Sequence, residues 1–123
     1  MSLCVLLSEA FTMGIKAGVT ADILYQAISL STGDTRQMHS FPDSLFVSNF
    51  EPGFKLDLGA KDVGLATNLG QKFNVPMPIA NLVYQKFIEG QNNGLGNQAA
   101  ISIAQLLENQ CDIKIRTDTS FIS

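Results

Sequence analysis

Several things are scarce in this sequence: charge, histidine, cysteine and long apolar runs. Only 15% of the 123 residues are charged and the net charge is -3, so there is no basic footprint for nucleic acid and no polybasic signal for an acidic membrane. Neither is expected as a partner. Cys4 and Cys111 stand near opposite ends, without C-x-x-C spacing, and His39 is the single histidine. A zinc site and a redox motif are therefore unsupported, and two reduced thiols are expected. His39 has no cysteine or carboxylate cluster beside it in sequence, so it reads as a surface or packing residue rather than a ligand or base. No stretch approaches the roughly 18 apolar residues of a membrane span. Met1–Leu7 lacks the basic start and cleavage site of a signal peptide, so a cytoplasmic protein is the expectation.

What is abundant is apolar side chain, at 46% of the residues. With so few charges, this suits a folded domain that has extensive buried or partner-covered surface. The length fits one domain and is too short for a catalytic domain plus a cofactor domain.

Helical periodicity runs through most of the chain. Leu3, Leu6, Leu7, Ala10, Gly14 and Ala17 recur at helical spacing, and Gly18 supplies a stop. Thr20 is a good N-cap for a second helix with Asp22 in its first turn, Ile23, Leu24, Ala27 and Ile28 on its buried face, and an end near Leu30. Between Asp34 and Asn49 the pattern weakens to irregular helix and loop, with Met38, Phe41, Leu45 and Phe46 packing inward. Pro78 can open a later helix carrying Ile79, Leu82, Val83 and Phe87 and closing at Gly90. In the last helix Asn97 is the expected cap, and Ile101, Ala104 and the Leu106-Leu107 pair face inward. Residues 111–123 read as a loosely ordered tail, with a short strand at Ile113 and Ile115 as an alternative.

Gly94-Leu95-Gly96 with Ala99 formally matches the dinucleotide fingerprint G-x-G-x-x-A. The match is rejected, because a phosphate-binding glycine loop follows a buried parallel strand and opens a helix, whereas this one follows the polar end of a helix.

The most informative stretch is Phe50–Pro76. Pro52-Gly53 is expected to form a type II turn with Gly53 at positive φ. A helix then carries Leu58, Leu65, Ala66, Leu69 and Phe73 on one face, with Lys61 and Asp62 on its flank. Asn74 stands at a left-handed cap position, and Pro76 forbids continuation. The expected core gathers Leu65, Leu69, Phe73, Leu82 and Phe87 in an all-α bundle of five or six helices.

The F-x-P-G-F sequence at Phe50–Phe54, then Leu58, Lys61-Asp62, Leu65-Ala66, Gly70 and Val75-Pro76, resembles the C-terminal helical domain of the β-hydroxyacid dehydrogenases, the family of 3-hydroxyisobutyrate dehydrogenase and tartronate semialdehyde reductase. Ser8-Glu9-Ala10 and the Gly14 to Gly18 segment resemble the long helix that joins that domain to its cofactor domain. The likeness runs from about Ser8 to Glu108. It implies a fold like the 6-phosphogluconate dehydrogenase C-terminal domain over residues 1–110, from an NAD(P)-dependent oxidoreductase of small β-hydroxyacids. The N-terminal Rossmann domain and the proton-relay lysine of such an enzyme are absent from this chain, so no catalytic residue is assigned and the fragment alone is expected to be inactive. By resemblance, Lys61 contacts the NAD or NADP cofactor, Phe54 and Asp62 border the substrate pocket, and Ser31 and Gly33 line it. A homo-oligomer is expected.

Two other readings stay open at this stage. One is a purely structural, oligomerising helical domain, in which Lys61 and Asp62 would be buried in a subunit contact. The other is a ligand-binding module, which would need a closed pocket inside the domain.

Overall fold

Five α-helices and three short 3-10 helices make up the computed structural model, which describes residues 1–120 and 122. Among the described residues the only β pairing is an isolated antiparallel bridge between Lys55 and Ala99. The expected all-α class holds.

Helix α1 (Ser2–Lys16) turns Cys4, Leu7, Ser8, Phe11, Thr12 and Gly14 inward. The expected stripe is therefore rotated: Leu3 and Leu6 are 40% and 60% exposed. The reason is Phe11, which is wholly buried and meets Phe41 edge-on with ring centroids 5.5 Å apart and Phe46 at 5.7 Å. A helix presents the face that buries its largest ring, and an aromatic pair adds about 0.5–1.5 kcal/mol beyond its buried area. Gly18, at φ +99°, ends this first element. Helix α2 (Ala21–Ser29) follows Thr20, which caps with its backbone carbonyl, not its side chain, accepting from Leu24 N at 3.1 Å.

Two 3-10 helices, Met38–Asp43 and Leu45–Val47, carry the weak-pattern region. Met38, Phe41, Leu45 and Phe46 are buried as expected and form the centre of the core with Phe11 and Tyr25. Pro52-Gly53 does not make the expected type II turn, since Gly53 is not at positive φ. Instead the strap is held by long-range pairing: Ala99 N donates to Phe50 O and Ala100 N to Phe54 O, both at 2.9 Å.

Helices α3 (Leu56–Lys72) and α4 (Pro78–Asn92) form a hairpin. Asn74, at φ 55°, takes the left-handed conformation after α3, and Pro78 opens α4. The expected core is corrected here. Phe87 is wholly buried, but Leu65, Leu69, Phe73 and Leu82 are 57–64% exposed. Helix α3 turns its small residues inward, namely Gly59, Ala60, Gly64, Thr67 and Gly70. A Cβ at Gly59 would lie 2.7 Å from the Phe87 ring, and one at Gly64 would lie 3.0 Å from the Tyr84 ring. The aromatic rings of α4 thus pack onto glycine backbone, which leaves the leucines outside. Gly90 does not end α4 but lies buried within it, where a Cβ would meet Ile103 at 2.8 Å.

The 3-10 helix Ala100–Ile103 leads into α5 (Ala104–Cys111), and the cap before it is Ala99 rather than Asn97. Beyond α5 the chain turns at Asp112, φ 53°, and runs back along the core. Ile115 is wholly buried, its N–H donates to the buried Glu108 carboxylate at 2.7 Å, and Thr117 N donates to Phe46 O at 3.3 Å. Arg116 donates to Leu45 O at 2.9 Å and stands 3.7 Å from Glu108. Residues 121 and 123 of this expected tail lie outside the described part.

Candidate functional site

The strap that enters α3 decides what its first turn can bind. Leu56 N donates to Gln98 O and Asp57 N to Gly96 O, while Leu58 N and Gly59 N both donate to Lys55 O. All four amides at this helix start are taken, so it offers no free N–H groups to a phosphate. Two of the three amides of the Gly94-Leu95-Gly96 loop are also engaged. Gly94 N donates to Gln91 O and Leu95 N to Gly90 O, and Gly94 is at φ +80°. Gly96 lies so close to the Asp57 carboxyl that a Cβ would fall 2.7 Å from its Cγ. These glycines make a tight connection between α4 and the start of α3. They are not a phosphate cradle.

Lys61 and Asp62 sit one turn further along α3, both exposed. Among the described residues no hydrogen bond or ion pair engages either of them. An unengaged ammonium suits an anionic phosphate or the polar edge of a nucleotide. Proton-relay lysines work from desolvated sites, and Lys61 stands in solvent. Lys55 and Lys114 are exposed as well, so exposure by itself does not set Lys61 apart.

Phe54, 38% exposed, stands in the wall of an open groove of about 450 Å³. Met1, Cys4, Ala99, Ala100 and Ile101 supply the rest of its apolar lining, and Gln37, Ser40 and Ser44 its polar side. Burial pushes the Cys4 thiol up from its ordinary range, which makes it a packing group rather than a nucleophile. Ser31 and Gly33 are exposed in the turn after α2, where Ser31 Oγ donates to Ile28 O at 2.8 Å and accepts from Gly33 N at 3.1 Å. Of the five residues singled out from the sequence, Phe54 lines this groove; Lys61, Asp62, Ser31 and Gly33 are not among its lining residues.

Gln37, Ser40 and Ser44 escaped the sequence reading. Their signal was available: polar residues at near-threefold spacing, alternating with the buried Met38 and Phe41, mark the outer side of a 3-10 helix. A second missed cluster joins three elements, with His39 Nε2 2.6 Å from Asp34 Oδ1 and His39 Nδ1 3.1 Å from the Tyr25 hydroxyl. Burial, aided by the negative charges of Asp34 and Asp43, raises the Tyr25 phenol above its usual range. Among the described residues no group of three or more His, Cys, Asp and Glu could hold a metal ion, and no helix is long and apolar enough to cross a membrane.

The bundle with its glycine-seamed α3–α4 hairpin is a fold shared with solved dehydrogenase structures. The fold matches 3-hydroxyisobutyrate dehydrogenase from Salmonella typhimurium with a TM-score of 0.79 at 19% identity, over 85% of this chain and 37% of that one. It matches the Mycobacterium tuberculosis 3-hydroxyisobutyrate dehydrogenase solved with L-serine at 0.80 and 22% identity, over 86% and 38%. The chain belongs to the family described as NAD-binding of NADP-dependent 3-hydroxyisobutyrate dehydrogenase, whose profile matches residues 2–107. Among characterised relatives, it is 30% identical to 2-(hydroxymethyl)glutarate dehydrogenase of Eubacterium barkeri over 89% of this chain and 36% of that protein. It is 24% identical to L-threonate dehydrogenase of Haemophilus influenzae over 74% and 30%. The chain thus spans about a third of the length of these relatives.

Proposed function

We propose that this chain is the C-terminal helical domain of an NAD(P)-dependent oxidoreductase acting on a small β-hydroxyacid. In that enzyme an N-terminal Rossmann domain carries the phosphate cradle, and the proton-relay lysine lies on the joining helix upstream of Ser8. The observation that supports this best is the family match across residues 2–107, with Lys61 and Asp62 of its motif in solvent and unengaged. The second reading, a purely structural domain, calls for those two residues in a buried contact.

The cofactor, when bound, supplies or takes the hydride. This chain's part is to bind and orient. Lys61 holds an anionic or polar edge of the nucleotide from across the interdomain cleft, whereas Phe54 and Asp62 border the substrate and Ser31 and Gly33 line its approach. The apolar outer face of α3 and α4, with Leu65, Leu69, Phe73, Ile79 and Leu82 exposed, forms the oligomer contact. A cytoplasmic location accompanies this reading. The test is turnover: joined to its cofactor domain, the chain oxidises a β-hydroxyacid with NAD or NADP, and alone it does not. Turnover by the isolated chain, or none by the joined protein, overturns the proposal.

A further inference from the structure

We propose that Asn93 is a site of spontaneous deamidation held in check by the C-terminal turn of α4, and that its conversion loosens the start of α3.

Of the eight asparagines in the chain, only Asn93 is followed by glycine. The reaction needs that neighbour. The Gly94 nitrogen attacks Asn93 Cγ, the Cγ–Nδ2 bond breaks and ammonia leaves, which closes a succinimide ring; a residue without a Cβ obstructs that closure least. Water then opens the ring at one of its two bonds to Gly94 N. Cleavage from Cγ leaves an aspartate, and cleavage from the main-chain carbonyl carbon of residue 93 leaves an isoaspartate, whose backbone runs through Cβ and Cγ.

Asn93 and Gly94 are both exposed, so water reaches them. The fold restrains both reacting groups. Asn93 Nδ2 donates to Glu89 O at 2.8 Å, and Gly94 N donates to Gln91 O at 3.0 Å with Gly94 in left-handed backbone at φ +80°. Leu95 N closes the turn onto Gly90 O at 3.0 Å, and the buried Leu95 side chain anchors it. Cyclisation therefore waits for the last turn of α4 to open.

Neither product rebuilds the turn. A carboxylate has no proton to donate to Glu89 O, and it places negative charge at the negative end of the helix dipole. In the isoaspartate the extra backbone methylene also takes Gly94 N and Leu95 N out of register with Gln91 O and Gly90 O. The same connection supplies the acceptors at the start of α3, where Gly96 O takes the Asp57 N–H at 3.0 Å and Gln98 O takes the Leu56 N–H at 2.9 Å. Loosening the turn loosens both.

The experiment incubates the two-domain enzyme that contains this chain at mildly alkaline pH, folded and in guanidinium chloride, and resolves asparagine, aspartate and isoaspartate in its peptides. Asn93 is expected to convert before every other asparagine of residues 1–123. Two hydrogen bonds of ordinary net strength hold its rate in the folded enzyme about thirtyfold below that in the unfolded one. In the converted protein the Leu56 and Asp57 amides should exchange with solvent about tenfold faster, the effect of losing one such bond. Asn93→Gln, which keeps a carboxamide one methylene too far to close this ring, should show neither change. Earlier conversion of another asparagine, no conversion in the folded enzyme, equal rates folded and unfolded, or unchanged exchange at Leu56 and Asp57 would each overturn the proposal.

Discussion

Replacing Gly96 by alanine separates a structural glycine loop from a cofactor loop. Gly96 accepts the Asp57 N–H at 3.0 Å, and its Cα faces the Asp57 carboxyl so closely that an added Cβ falls 2.7 Å from Cγ. The carboxylate has to swing away, which breaks its 2.9 Å hydrogen bond from Gln91 Nε2 and removes a negative charge from the first turn of α3. The exposed hydrogen bond contributes about 1 kcal/mol and the helix-dipole term about 0.5 kcal/mol. Residual crowding costs about 1 kcal/mol, and the stiffer unfolded chain returns about 0.5 kcal/mol. The net loss is about 2 kcal/mol, which for a domain of this size lowers Tm by about 8 °C. Thermal unfolding reads the shift, and Asp57→Ala in the Gly96→Ala background should restore part of it, because the two residues are coupled. In the two-domain enzyme cofactor affinity should be unaffected. A normal Tm together with weakened NADH binding would refute the reasoning and reinstate the dinucleotide fingerprint.

Alkylation by iodoacetamide should label Cys111 well before Cys4, because Cys4 is 2% exposed and its raised thiol holds less thiolate at any given pH; equal rates in intact-mass spectra would contradict the packing described for α1. Glu108→Ala should release the Ile115 amide to fast hydrogen exchange and cost about 1.5–3 kcal/mol, the range for a hydrogen bond to a charged group. Continued protection of that amide would show that the tail is held by other contacts. The isolated chain should self-associate, and Leu69→Glu with Phe73→Glu should abolish this without lowering Tm, since both side chains are more than half exposed. A concentration-independent monomer mass for the unmutated chain in sedimentation equilibrium would rule the contact out.

The punctuation of this fold was legible because it is local. Gly18 and Asn74 take left-handed backbone and Pro78 opens α4, each for a reason carried by the residue itself. The choice of face was not legible. Helix α3 offers two stripes, one of leucines and one of glycine, alanine and threonine, and hydrophobic periodicity favours the bulkier. What decides is the ring of Phe87, which needs a partner surface without a Cβ at Gly59, and that demand comes from another helix. The spacing Ala60, Gly64, Thr67 was the available hint of a close-packed seam. Lys61 and Asp62 were readable as exposed flank residues of α3, whereas the backbone carbonyls that take the Ser40 and Ser44 hydroxyl protons show only in coordinates.

In the function proposed above, Lys61 serves the cofactor rather than the fold. The direct measurement is the dissociation constant of the two-domain enzyme for NADH and NADPH, in wild type and in Lys61→Ala, with the melting temperature of each protein. Loss of a hydrogen bond to a charged group predicts weaker binding by about 1–3 kcal/mol, while an exposed side chain with no partner in the fold predicts an unchanged Tm. Unaltered affinity for both nucleotides would contradict the account.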